Sequence, residues 1–175
     1  MKTQNKHRKI VLTGGPCCGK TTTINELRKR GHQVLDEIAR VVIEEGNYHP
    51  SKGLIEFQQE ILRRQLLQEQ QASGITFLDR SALDGLAYSN FFIKETPSFY
   101  SNHDFKNRYD LVFTLDRFSL KNDGIRVEAS DEEARGIHNL INQTYSAHGY
   151  NPIPVPIMPI EERVNFILNS IEGGK

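Results

Sequence analysis

The sequence predicts an α/β fold built on a parallel sheet, and three observations carry that prediction. Short apolar runs alternate with segments of helical period along the chain, the mark of successive βαβ units. The first run, Ile10-Val11-Leu12, passes into Gly14-Gly15-Pro16-Cys17-Cys18-Gly19-Lys20-Thr21, a turn of the form G-x-x-x-x-G-K-T. An amphipathic stretch with Ile24 and Leu27 on one face follows, so the turn lies between a strand and a helix, the context its chemistry needs.

The elements can be justified in order. Strands are expected at Lys9–Leu12, Gln33–Leu35, Ile75–Leu78, Leu111–Leu115 and Ile153–Ile157. Gly31 is placed to stop the first helix, and a long helix from Lys52 to about Ala72 carries Leu54, Phe57, Ile61, Leu62 and Leu66 at helical spacing. Gln58, Gln65 and Glu69 punctuate that helix and read as solvated. Ser130 and Glu133 form a capping-box pair opening a helix with Ala134, Ile137, Ile141 and Tyr145 on one face, ended by Gly149. Val164, Ile167, Leu168 and Ile171 give the last helix its apolar stripe. Pro152, Pro154, Pro156 and Pro159 punctuate the fifth strand, and proline cannot donate to a ladder, so that strand belongs at an edge.

The 175 residues suit one domain, spanning 1–175, with a core of its own. Lys and Arg number 22, as do Asp and Glu, so the summed field gives no case for nucleic-acid or membrane binding. The basic start, Lys2, Lys6, Arg8 and Lys9, lacks the apolar stretch of a signal peptide, and no later apolar run is long enough to span a bilayer. The only cysteines are adjacent, with no C-x-x-C or histidine cluster for zinc, and a cytoplasmic location is expected.

The glycine-bounded turn is suited to a nucleoside triphosphate. Glycines let the main chain curl with its N–H groups inward, and the following helix directs its positive end at the same anion. Gly14, Gly15, Pro16, Cys17, Cys18 and Gly19 are expected to cradle phosphates, with Lys20 on the β and γ oxygens, Thr21 on Mg²⁺ and Thr22 at the α-phosphate. Cys17 and Cys18 sit near a helix N-terminus, which lowers a thiol pKa, and their modification is expected to block nucleotide binding. The metal also needs a carboxylate at a strand end. Asp79 and Asp116 both qualify, and Asp79, followed by Arg80 and Ser81, is favoured. Asp36-Glu37-Ile38-Ala39-Arg40 follows the second strand at the sheet edge where ligands of open α/β folds gather. There Glu37, or less readily Asp36, is suited to accept a proton from an acceptor hydroxyl, and Arg40 to hold an anionic group. Residues 117–128 form a long, polar, basic segment expected to act as a mobile lid, with Arg126 as its leading phosphate-neutralising arginine and Arg135 and Arg117 behind it.

With V-L-T-G-G-P at the loop, D-E-I-A-R after strand two, F-L-D-R-S at strand three, D-G-I-R in the lid and V-P-x-x-P-I-E-E-R near the end, the chain resembles the NadR-like AAA family of small P-loop ATPases. That family includes the kinase domain of bifunctional nicotinamide-riboside kinases. The resemblance implies a three-layer P-loop NTPase fold like that of adenylate kinase, with a five-stranded sheet ordered 2-3-1-4-5 and helices on both faces. It also implies Mg-ATP as ligand. The D-R-S segment is similar to a motif of nucleoside and nucleotide kinases whose arginine contacts substrate or phosphate, a role that would fall to Arg80.

The expected activity is Mg²⁺- and ATP-dependent (or GTP-dependent) phosphoryl transfer to a small metabolite, such as a nucleoside or nucleotide. Two alternatives stand beside it: an NTPase or phosphatase with water as acceptor, and an ATP- or GTP-switched module that binds a protein or lipid partner. The acceptor itself is not legible in the residues.

Overall fold

A computed structural model of the chain describes residues 7–118 and 130–173. The strands are β1 (Arg8–Thr13), β2 (Gln33–Leu35), β3 (Ile75–Asp79), β4 (Leu111–Leu115) and β5 (Ile153–Val155). The helices are α1 (Lys20–Lys29), α2 (Ile38–Glu44), α3 (Leu54–Gln68), α4 (Ala82–Ile93), α5 (Ser98–Ser101), α6 (Asp131–Ala147) and α7 (Ile160–Gly173). All four pairings are parallel and the sheet order is β2-β3-β1-β4-β5, as the resemblance implied. Pro154 lies opposite Thr114 on a strand with only one neighbour, so its missing N–H is harmless at this edge.

Alternation along the central strand builds two cores. Ile10 and Leu12 point to one face, where they meet Ile24 and Leu27 of α1 and Val164, Ile167 and Ile171 of α7. Val11 points to the other, toward Leu62 of α3, Leu83 and Leu86 of α4, and Ile137, Ile141 and Tyr145 of α6. Side chains of period two on strands thus meet helical stripes of period 3.6 on both faces, and the result is three layers. Each fully buried aliphatic of this set, such as Leu12, contributes about 1.5–3 kcal/mol by leaving water.

Several element ends differ from expectation. The long helix begins at Leu54 and closes with a 3₁₀ turn at Glu69–Gln71, and β5 stops at Val155 rather than Ile157. Gln58, Gln65 and Glu69 are buried rather than solvated. Glu69 accepts from Gln65 Nε2 at 3.1 Å, Arg108 Nε at 2.6 Å and Tyr109 OH at 3.0 Å, and those three donors make its burial tolerable. Ser130 caps α6 by accepting from the Glu133 N–H at 3.1 Å. Among the described residues, no helix is long and apolar enough to cross a membrane.

The order of the strands decides where chemistry gathers. Because every strand runs the same way, the segments after β1, β2, β3 and β4 emerge at one carboxyl edge. The segment at Gly14, Glu37, Arg80 and Arg117 therefore converges there.

Candidate functional site: a phosphate loop facing a carboxylate pocket

The loop after β1 is held open from outside. Arg80 Nη1 donates to the Gly14 carbonyl at 3.2 Å, Arg117 Nε to that of Pro16 at 3.0 Å, the Phe118 N–H to that of Cys17 at 2.8 Å, and Arg163 Nη1 to that of Cys18 at 3.4 Å. A trans peptide is planar and sets its N–H opposite its carbonyl, so pinning carbonyls 16 to 18 outward turns the N–H groups of Cys17, Cys18 and Gly19 inward. Cys17 and Gly19 take φ values of +60° and +72°, the alternation that makes an anion-binding nest. α1 begins at Lys20, and its first-turn N–H groups have no carbonyl of their own helix to meet. The arrangement suits a chain of phosphates.

One contact, between Gly15 and His138, sets the stem of the loop. The Gly15 N–H donates to His138 Nδ1 of α6 at 3.1 Å, and a Cβ on Gly15 would stand 2.8 Å from the His138 Cβ, so only glycine permits this approach. Burial and the nearby Arg117 charge hold the His138 imidazole below its ordinary pKa, so it is neutral and its Nδ1 accepts.

Beyond the loop, Lys20 and Asp79 face each other across β1 and β3. Lys20 Nζ stands 3.4 Å from Asp79 Oδ1, within ion-pair range. That oxygen is buried and makes no hydrogen bond, so an acceptor site on it is unfilled. Burial pushes the Asp79 carboxyl up, against the pull of Lys20. A cavity of about 330 Å³ opens here, lined by Thr21, Asp36, Glu37, Arg40, Glu44 and Asp79 among others. Mg²⁺ takes oxygen ligands, and Asp79 Oδ1, which makes no hydrogen bond beside its ion pair with Lys20, and the hydroxyl of Thr21, which lines the same cavity, are donors of that kind. The residues present fit that ion.

Glu37 shares the cavity. It is the N-cap of α2, three residues before Arg40, and both line the cavity. Burial alone would raise its carboxyl, yet the charges of Arg80, Lys20 and Arg40 together with the Arg80 hydrogen bond hold it below the usual carboxylate range. Glu37 is therefore ionised at neutral pH and able to accept a proton.

Arg80 is committed to the protein. Its φ is +71°, which aims the side chain back across the sheet edge. Nε donates to Glu37 Oε1 at 2.9 Å, Nη1 to Asp84 Oδ1 at 3.2 Å as well as to Gly14, and Nη2 to Tyr88 OH at 3.3 Å. The guanidinium fork thus joins Glu37 to the Gly14 carbonyl of the loop. Tyr88 packs and bonds against it, with the guanidinium 5.1 Å from its ring centre.

The remaining expectations divide plainly. Asp36 lines the cavity but is exposed and ion-paired with Arg28. Thr21 and Thr22 are exposed on the first turn of α1. Asp116 is exposed, and its N–H donates to the Val155 carbonyl, so it lies toward β5 and not on the cavity wall. Arg117 bonds Pro16 and pairs with Asp131 at 2.8 Å, while Arg135 is exposed and pairs with Asp131 at 3.3 Å. Arg126 and the expected lid beyond Phe118 lie outside the described residues.

Sequence reasoning missed Asp84, His138 and Arg163 as parts of this site. Asp84 had a readable signal, since Ser81-x-x-Asp84 is a capping pattern and Asp84 is one turn past Arg80. Arg163 closes the E-E-R segment, but nothing in the spacing places it under the Cys18 carbonyl. His138 has no local signal at all.

Comparison with known proteins follows the same lines. Residues 9–163 match a family described as an AAA domain. The fold is similar to that of NadR protein solved in complex with NR, with a TM-score of 0.74, 16% identity, and coverage of 95% of this chain and 51% of that one. A NadR complex with NAD and AMP-PNP gives a TM-score of 0.70 at 17% identity, covering 95% of this chain and 49% of that one. Deoxyadenosine kinase from M. mycoides, bound to dCMP and dCDP, gives 0.66 at 17% identity, covering 95% of this chain and 100% of the kinase. This chain thus spans about half the length of NadR. No curated protein matches by sequence.

Proposed function

The chain belongs to the AAA domain family, and for this member we propose a Mg-ATP-dependent phosphotransferase whose acceptor is a small hydroxyl-bearing metabolite, of the nucleoside or nucleotide class. One observation carries the reading: Glu37, ionised and held by Arg80, shares a single cavity with Thr21 and Asp79 at the mouth of the phosphate loop. A site that only bound nucleotide would need the loop and the metal carboxylate. A second, ionised carboxylate one cavity-width away is what an acceptor hydroxyl requires. The folds of NadR and deoxyadenosine kinase support the same class.

The roles follow. The inward N–H groups of residues 17–19, with the start of α1, bind the β- and γ-phosphates, and Lys20 neutralises their charge. Asp79 and Thr21 would hold Mg²⁺, which supplies further charge neutralisation on the phosphates. Glu37 takes the proton of the acceptor hydroxyl as its oxygen bonds to the γ-phosphorus. The bond from that phosphorus to the β–γ bridging oxygen breaks, and the electron pair leaves with the nucleoside diphosphate. Arg40, which lines the same cavity, is a cation suited to an anionic group on the acceptor.

The test is a metabolite screen for acceptor-stimulated ADP or GDP release, run with Mg²⁺ and each triphosphate. Slow hydrolysis alone with strong stimulation by one acceptor class supports the reading, and Glu37→Gln should then lower kcat by about 10²–10⁴. Steady phosphate release without any acceptor would replace it with a hydrolase. Nucleotide-dependent capture of a protein or lipid without turnover would replace it with a switch.

A further inference from the structure

We infer that Asp84 is the positioning residue of this site, a buried carboxylate that sets the phosphate loop through Thr13 and the acceptor carboxylate through Arg80. Asp84 lies in the first turn of α4 and is about 1% exposed. Four donors converge on it. Its Oδ1 accepts from Thr13 Oγ1 at 2.5 Å and from Arg80 Nη1 at 3.2 Å. Its Oδ2 accepts from the Ser81 N–H at 2.9 Å and from Tyr145 OH at 2.5 Å.

The two oxygens have different business. Oδ2 serves its own helix cap and, through Tyr145, the packing of α4 on α6. Oδ1 serves the site: Thr13 is the last residue of β1, immediately before Gly14, and Arg80 holds both the Gly14 carbonyl and Glu37. A helix cap needs only one acceptor, and a serine or asparagine would supply it. Four converging donors, one of them cationic, need a carboxylate, because an amide at this position would turn its own N–H groups on donors. The charge of Asp84 also compensates Arg80, whose guanidinium is largely buried with Glu37 as its only other anionic partner among the described residues. One side chain thereby fixes the relative placement of donor loop and acceptor base.

Two isosteric variants with a control test this. Asp84→Asn removes the charge and half of the acceptor capacity, Thr13→Val removes only the bond on the loop side, and Tyr145→Phe removes the two bonds of its hydroxyl, to Asp84 Oδ2 and to Ser81 Oγ at 2.6 Å, and leaves the Thr13 side intact. Amide exchange of the nucleotide-free proteins and Mg-ATP affinity are measured well below the melting range, and unfolding midpoints by urea titration at the same temperature. Asp84→Asn and Thr13→Val are expected to speed exchange in the peptide covering residues 13–21 and to weaken Mg-ATP binding about tenfold. The double variant should lose less than the sum of the two single losses, because both variants disturb the shared Thr13–Asp84 contact while Asp84→Asn also loosens Arg80. Tyr145→Phe should lower the midpoint while leaving loop exchange and affinity within about twofold of wild type. Loop exchange and affinity unchanged in Thr13→Val and Asp84→Asn, losses that simply add, or equal losses in Tyr145→Phe, would each overturn the assignment. Should Asp84→Asn fail to fold, Thr13→Val against Tyr145→Phe decides the matter. The inference rests on the phosphotransferase reading only where it invokes Glu37. Absence of acceptor-dependent turnover in the wild type would refute that reading, while loop exchange would still judge Asp84.

Discussion

Replacing Gly19 by alanine perturbs the loop in two separable ways. Gly19 has a φ of +72°, a left-handed conformation that costs a residue with a Cβ about 1–2 kcal/mol. The new Cβ would also lie 2.6 Å from Arg163 Nη1, against the 3.4 Å at which ordinary contact begins, so the guanidinium must withdraw by about 0.8 Å. Arg163 cannot withdraw freely. It is buried, and Nη1 already reaches Cys18 O and Thr23 Oγ1 at 3.4 Å each, the limit of a hydrogen bond. Loss of these bonds by a charged group costs about 1.5–3 kcal/mol, so Gly19→Ala should destabilise the protein by ~2.5–5 kcal/mol. For a chain of 175 residues each kcal/mol lowers the melting temperature by about 2–4 °C, which makes the effect easy to see. The assay is urea unfolding of Gly19→Ala, Arg163→Ala and the double variant. In the Arg163→Ala background the backbone term remains, beside a 3.3 Å approach to Phe118 Cε2, and Gly19→Ala should cost about 1–2 kcal/mol. An equal cost in both backgrounds would refute the claim that Arg163 braces the loop.

Three further outcomes follow from the site. Lys20→Ala should lower acceptor-dependent turnover by about 10² or more, since the cation beside Asp79 at the start of α1 is lost; turnover within tenfold of wild type would refute its placement. Arg80→Gln should move the acidic limb of the kcat/KM profile to higher pH. The opposing burial effect then governs Glu37, whose folded pKa is otherwise depressed, and a limb that stays in place or moves down would contradict the pairing. The depressed His138 pKa makes the unfolded chain the better proton binder, so its stabilising share is present above the unfolded value of about 6.5 and lost as pH falls toward the folded one. His138→Gln should therefore flatten the fall in unfolding free energy between pH 7 and pH 5, and an unchanged slope measured by urea titration would count against the Gly15 contact.

Local chemistry was legible wherever neighbours in sequence are neighbours in space. The alternation of Ile10, Val11 and Leu12, the helical spacing of Ile24 and Leu27, and the prolines around Ile153 each report the surface on which their own element rests. The Ser130 cap and the stop at Gly31, with φ of +85°, depend on a few adjacent residues and were equally readable. Gln65 and Glu69 were not. Their polar side chains look solvated on a helix considered by itself, and only Arg108 and Tyr109, some forty residues on, make burial affordable.

By itself the sequence determined the phosphate loop, the parallel sheet and the carboxylates Asp79 and Glu37, because a strand, a glycine turn and a helix start form from contiguous residues. Tertiary structure decided what those groups face. It turned Arg80 from the cavity to Glu37, Gly14 and Asp84, set His138 on Gly15 and Arg163 beneath Cys18, and pinned the loop carbonyls outward. Each of these contacts joins segments brought together by the order of the strands, and no spacing along the chain encodes the direction in which a long side chain will find its partner.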